Sequence, residues 1–147
     1  MTNQHSQFRP LVILGIAALG AACGPTISGP EDVEVEALQM DGAWVFTYRE
    51  SPDLSMHALL TGPAAVVDGC LRVGDQVVVW REQHLGTVGE ITARIDEGEV
   101  VSVSLGGGGG SVGEGMMENV PEDVRDRCSL SGVWHSGHDE VAIIEGG

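Results

Sequence analysis

Lysine is absent from this chain, aromatic residues make up 4% of it, and cysteine occurs three times. All the basic residues are arginines, seven against 22 acids, for a formal net charge of -15 at pH 7. Phosphate recognition starts from a basic face, so this balance argues against nucleic acid as a partner. No stretch reaches the roughly 18–20 consecutive apolar residues that a membrane-spanning helix needs. Three cysteines cannot build a disulfide-dense scaffold, and neither a collagen-like nor a coiled-coil repeat is present. What is there suffices for one modest domain: 147 residues, 42% apolar and 20% charged, with 22 glycines.

The N-terminus points to export. Residues 1–10 are polar, with Arg9 as their one charged side chain, and Leu11–Leu19 is a continuous apolar run. Small residues Gly20, Ala21 and Ala22 follow, then Cys23. A positive start, a short apolar centre and a small-residue exit describe a secretory leader, too short to span a bilayer stably. Leu19-Gly20-Ala21-Ala22-Cys23 resembles the lipobox of bacterial lipoproteins, although the usual leucine stands one place closer to the cysteine. The resemblance implies that residues 1–22 are removed and that Cys23 is lipidated. Each buried methylene of an acyl chain contributes about 0.8 kcal/mol, so several chains anchor a protein durably. Ordinary cleavage after Ala22 and an uncleaved apolar helix are the alternatives. Residues 23–32, with Gly24, Pro25, Ser28, Gly29 and Pro30, read as a flexible tether. Removing the leader takes Arg9 and no acid, which leaves a charge of -16 on the remainder.

Residues 33–147 read as a single β-rich domain. Val33, Val35 and Ala37 alternate with Glu34 and Glu36, a period of two. Asp41-Gly42 then separates this segment from Ala43–Arg49, and Asp68-Gly69 separates Ala64–Val67 from Cys70–Val73. Asp-Gly between β-prone runs is a strong hairpin signal, because both turn residues accept positive φ. Gln76–Trp80, Gly86–Ile95 and Val100–Leu105 continue the series of expected strands, and Glu140–Glu145 ends it. The spacing predicts a small antiparallel barrel or sandwich. One short C-terminal helix is expected up to about Cys128, with Asn119 as its cap, Pro121 near its first turn, and Glu122 and Asp123 at its positive end.

From His57 to Gly110 the chain resembles a group of short, exported bacterial proteins of uncharacterised role. The resemblance rests on Leu60-Thr61-Gly62, Gly69-Cys70-Leu71, Val78-Val79-Trp80 and Leu105-Gly106-Gly107, followed by Pro121, Cys128 and Trp134. It departs from the group at Arg81-Glu82-Gln83-His84, where Trp-Pro and a glycine turn are usual. It implies an OB-like barrel and no particular activity.

With Cys23 assigned to lipid, Cys70 and Cys128 remain as an even pair. Outside the cytosol such a pair becomes a disulfide; two unpaired core thiols are the alternative. A Cys-His nucleophile would need a free Cys70 or Cys128 beside His84 or His135. His135 and His138, with Asp139 and Glu140, form the densest group of candidate ligands for Zn or Cu. Three residues apart on a strand they face opposite sides, so a polar turn before the last strand is the plainer reading. Trp44 and Trp80, with Trp134, could line a sugar-binding face or fill the core. Gly106–Gly110 lacks the lysine and helix of a phosphate loop and reads as a flexible turn between strands. Asp96–Glu99 lacks the ligand spacing of a calcium loop. No nucleophile elbow, zinc-protease helix or triad order occurs. The expectation is therefore a lipid-anchored cell-envelope binding module for a protein or saccharide partner, non-catalytic and without cofactor. A metal-binding envelope protein using His135 and His138 is the alternative, and a hydrolase trails both.

Overall fold

Both Asp-Gly pairs make the turns their chemistry calls for. In the computed structural model, which describes residues 33–53 and 56–145, Asp41 (φ 48°) and Gly42 (φ 80°) join β1 (Val35–Met40) to β2 (Ala43–Tyr48). Asp68 (φ 52°) and Gly69 (φ 77°) join β3 (Ala58–Val67) to β4 (Cys70–Val73). Two successive positive φ values define the turn whose twist matches the flanking strands. A further tight turn carries the chain into β5 (Gln76–Trp80). The expected leader, tether and Cys23 lie outside the described residues.

All the described strands join one sheet, which β6 (Val101–Gly110), β7 (Val133–Ser136) and β8 (Ala142–Ile144) complete. Hydrogen-bonded neighbours trace a closed circuit, β2–β4–β3–β6–β7–β5 and back to β2, with β1 and β8 attached to its outside. The expected all-antiparallel pairing is corrected: β2 runs parallel to β4 and to β5, and β5 runs parallel to β7. Parallel neighbours need long crossovers. The chain supplies one through α1 (Leu85–Asp96), β6 and α2 (Glu122–Cys128), between β5 and β7.

The expected strand over Gly86–Ile95 is in fact α1. Val88, Ile91 and Thr92 recur at helical spacing and are buried, with Leu85 and Ile95 packed on the same side. The β-branched content of this segment favours a strand, and the 3.6-residue period overrides it. A helix pattern cannot serve as a strand here, because alternation would expose half of these apolar residues. The second helix, α2, ends at Cys128 as expected. Its cap is Pro121, whose carbonyl accepts from the Val124 and Arg125 amides at 3.0 Å each, while Asn119 reaches across to Glu34.

Two apolar clusters lie on opposite faces of the strands. One takes residues from around the circuit, Val45, Ala64, Leu71, Val73, Val78, Trp80, Val101, Val103 and Leu105, and α1 covers it with Val88 and Ile91. The alternate residues Phe46, Tyr48, Val77, Val79 and Val133 form the other, beneath Val112, Val120, Val124 and Leu130. Cys70 and Cys128 lie in that second cluster as a bonded pair, Cα–Cα 5.7 Å, tying α2 to the start of β4.

Gly106–Gly110 is not a flexible turn. These glycines are the second half of β6, paired with β3 at Gly106 and Gly107 and with β7 from Gly107 to Gly110. Close approach explains the composition: a Cβ on Gly107 (φ 149°) would lie 2.0 Å from the His135 carbonyl oxygen. The expected polar turn at His135 is likewise strand β7, with Val133 and His135 buried on one face and Trp134 half-buried on the other.

Candidate functional site

Because β2, β5 and β7 run parallel, their C-terminal ends share one edge of the circuit. That edge carries Tyr48, Trp80-Arg81 and His135-Ser136, followed in the next loops by Asp53, Gln83, His84, His138 and Asp139. The edge gathers several buried polar groups, Thr47, Arg81, His84, His135 and Ser136, and most of them are partnered.

Arg81 organises it. Its side chain is only 2% exposed. The Arg81 amide donates to Ser136 Oγ at 2.8 Å, its Nε to the Ser136 carbonyl at 3.1 Å, and Nη2 to the Pro52 carbonyl at 2.7 Å. These three bonds fasten the ends of β5 and β7 to the loop after β2. Thr47 adds a fourth tie, from its hydroxyl to the Trp80 carbonyl at 3.0 Å. Among the described residues no carboxylate pairs with Arg81, and its side chain donates to the Ser136 and Pro52 carbonyls. Such burial is costly unless every donor is engaged.

Tyr48 and His135 form a second buried pair, the hydroxyl against Nδ1, with the two rings stacked. Burial pushes the Tyr48 hydroxyl well above its usual range, opposed by the Arg81 charge. Burial also lowers His135, opposed by a hydrogen bond to the Ser111 backbone. Both directions favour one arrangement: a protonated phenol donating to the Nδ1 of a neutral imidazole. The glycines of β6 make room for this ring, since a Cβ on Gly110 would lie 3.0 Å from its Cδ2 and Nε2.

His84 sits at the junction of a 3-10 turn (Glu82–His84) and α1, 5% exposed. Burial lowers it, a hydrogen bond to the Asp139 backbone raises it, and the charges of Arg81 and His138 lower it further. Beside it opens a cleft of about 450 Å³ lined by Gln83, His84, Thr87, Glu140 and Val141. The Gln83 amide donates to the His138 carbonyl at 3.1 Å on its rim. A larger hollow of about 820 Å³ lies elsewhere, between α2 and residues 112–117.

The structure separates the expected metal ligands. His135 is buried against Tyr48, whereas His138 is exposed with Nε2 3.3 Å from Asp53. Among the described residues no group of three or more His, Cys, Asp or Glu side chains is placed to hold a metal ion. The expected aromatic binding face is corrected for Trp80, which is 1% exposed and lies in the apolar cluster that α1 covers. Trp44 is half-buried against the α2 cluster, and Trp134 packs against the one that α1 covers. Core packing therefore claims all three rings. For nucleophilic chemistry, Cys70 and Cys128 are paired with each other and Ser136 Oγ accepts from Arg81.

Sequence reasoning overlooked Tyr48, Arg81, Ser136, Gln83 and Thr87. The available signal was Arg81 itself, a lone cation directly ending the apolar run Gln76–Trp80. No family model, curated protein or solved structure matches this chain.

Proposed function

We propose that the protein is an exported, lipid-anchored binding module of the bacterial cell envelope, non-catalytic, built on a small β-barrel. One observation carries the export reading: Cys70 and Cys128, 58 residues apart, meet as a bonded pair in the core. Cytosolic thiols are kept reduced, and a structural cystine belongs to an oxidising space. Its support from the sequence is the apolar leader and the lipobox-like Leu19–Cys23. The closed circuit of six neighbouring strands is the basis for reading a barrel. Six strands with parallel pairs differ from the five-stranded OB-fold, so the OB-like expectation survives here only as a small closed barrel.

Metabolic labelling with an alkyne-tagged fatty acid tests the anchor. The wild-type chain should take up label and fractionate with membranes, and Cys23→Ser should abolish both. An unlabelled wild-type chain in the soluble cytosolic fraction would overturn the proposal.

A further inference from the structure

We infer that the cleft between the start of α1 and residues 140–141 is a binding site for a neutral saccharide of one or two rings. Its walls are short and mostly polar. Gln83, His84 and Thr87 come from one side, and Glu140 and Val141 from the segment before β8. At about 450 Å³ it falls within the range of small-molecule sites, roughly 300–1,000 Å³.

The lining selects the ligand by exclusion and by match. Among the described residues no cation lines the cleft, Glu140 contributes a negative charge, and the whole chain carries -15. A phosphate, sulfate or carboxylate ligand meets repulsion there rather than a partner. Val141 is the one apolar side chain of the lining, too little surface to hold a lipid or an aromatic compound. What the cleft offers is an amide, a hydroxyl and a carboxylate, a mixture of donors and acceptors suited to the hydroxyls of a sugar ring.

Several of these groups are fixed in advance. The Gln83 amide nitrogen is anchored on the His138 carbonyl at 3.1 Å, which turns its carbonyl oxygen to the other side. The His84 ring is buried at the base of α1, next to the Arg81 that clamps β5 and β7. Its Nε2 lies 3.4 Å from the Gln83 amide nitrogen and its Nδ1 is buried, so the ring holds Gln83 in place rather than meeting a ligand itself. Preorganised side chains lose less entropy when a ligand arrives.

This inference deepens the binding-module reading and depends on it only for which glycans the protein meets. The test is titration of the purified full-length chain, followed by isotope-edited NMR, with N,N′-diacetylchitobiose and cellobiose as neutral probes and a sulfated disaccharide as the anionic one. At least one neutral probe should shift the amide signals of Gln83, Thr87 and Val141. Thr87→Val and Glu140→Gln should each weaken that binding about tenfold, whereas Ser131→Ala, in the larger hollow, should leave it unchanged. The wild-type shift map decides the location even if a variant misfolds. Absence of binding to both neutral probes, preference for the sulfated probe, or shifts confined to another surface would overturn the inference. Envelope anchoring is read separately by the fatty-acid label, so an anchored chain that ignores sugars contradicts this inference alone.

Discussion

Gly107 shows how one residue can make a local rule misleading. Five successive glycines carry the highest backbone entropy available, which favours an unstructured turn. Gly107 is instead pressed against β7, where a Cβ would overlap the His135 carbonyl at 2.0 Å, while Gly109 two positions on has nothing within 4 Å. Gly107→Ala should therefore destabilise the protein by about 2–3 kcal/mol or more, combining overpacking with an unfavourable φ. Gly109→Ala should be neutral or slightly stabilising, by up to about 1 kcal/mol. Urea unfolding of the two variants makes the comparison; equal losses would contradict strand pairing along the glycine run. A second prediction at this scale concerns protons. His135 and His84 both bind protons less readily folded than at their ordinary value of 6.5, chiefly because of burial. The unfolded chain then holds more protons in mildly acidic solution, so stability is complete above about pH 6.5 and declines as the pH falls through the folded values. Melting temperature should drop between pH 7 and pH 5, and His135→Gln should make that drop smaller. A flat profile in the wild type would remove burial as the cause.

At the scale of elements, local chemistry is legible and pairing order is not. The Asp-Gly turns, β4 and β5 follow directly from turn residues and apolar runs, and their observed bounds coincide with the expected ones. α1 was hidden because Thr87, Val88, Ile91, Thr92 and Ile95 are β-branched, and only their spacing reveals a helix. β7 was hidden because its His135-Ser136 half is polar yet buried. Helix and strand make opposite predictions for two neighbouring positions in α1. Ile91 is fully buried, and Ile91→Ala should cost about 2–5 kcal/mol. A methyl group added at Gly89 would meet nothing within 4 Å, and Gly89→Ala should gain up to about 1 kcal/mol as helix propensity improves. Thermal unfolding that showed loss at Gly89 and none at Ile91 would contradict the helix.

Across the whole molecule, the candidate site was illegible for a topological reason. Tyr48 and His135 are 87 residues apart and Arg81 and Ser136 are 55 apart, brought together by parallel pairing of β2, β5 and β7. Nothing local in the chain announces such a pairing, whereas the cystine could be anticipated from Cys70 and Cys128, the pair left once Cys23 is assigned to lipid. The bond closes a long loop and joins α2, a seven-residue helix, to the sheet. In the chain-entropy model its removal should cost about 4 kcal/mol. The Cys70→Ser/Cys128→Ser double variant should unfold at markedly lower urea concentration than wild type.

Intact-mass spectrometry of the protein purified from its native envelope, with and without alkylation, bears on the central claim most directly. The predicted species begins at Cys23, carries acyl mass on that residue, and takes up alkylating agent only after reduction. A species that begins at Met1 and alkylates at Cys70 and Cys128 without reductant would contradict export, anchor and cystine together.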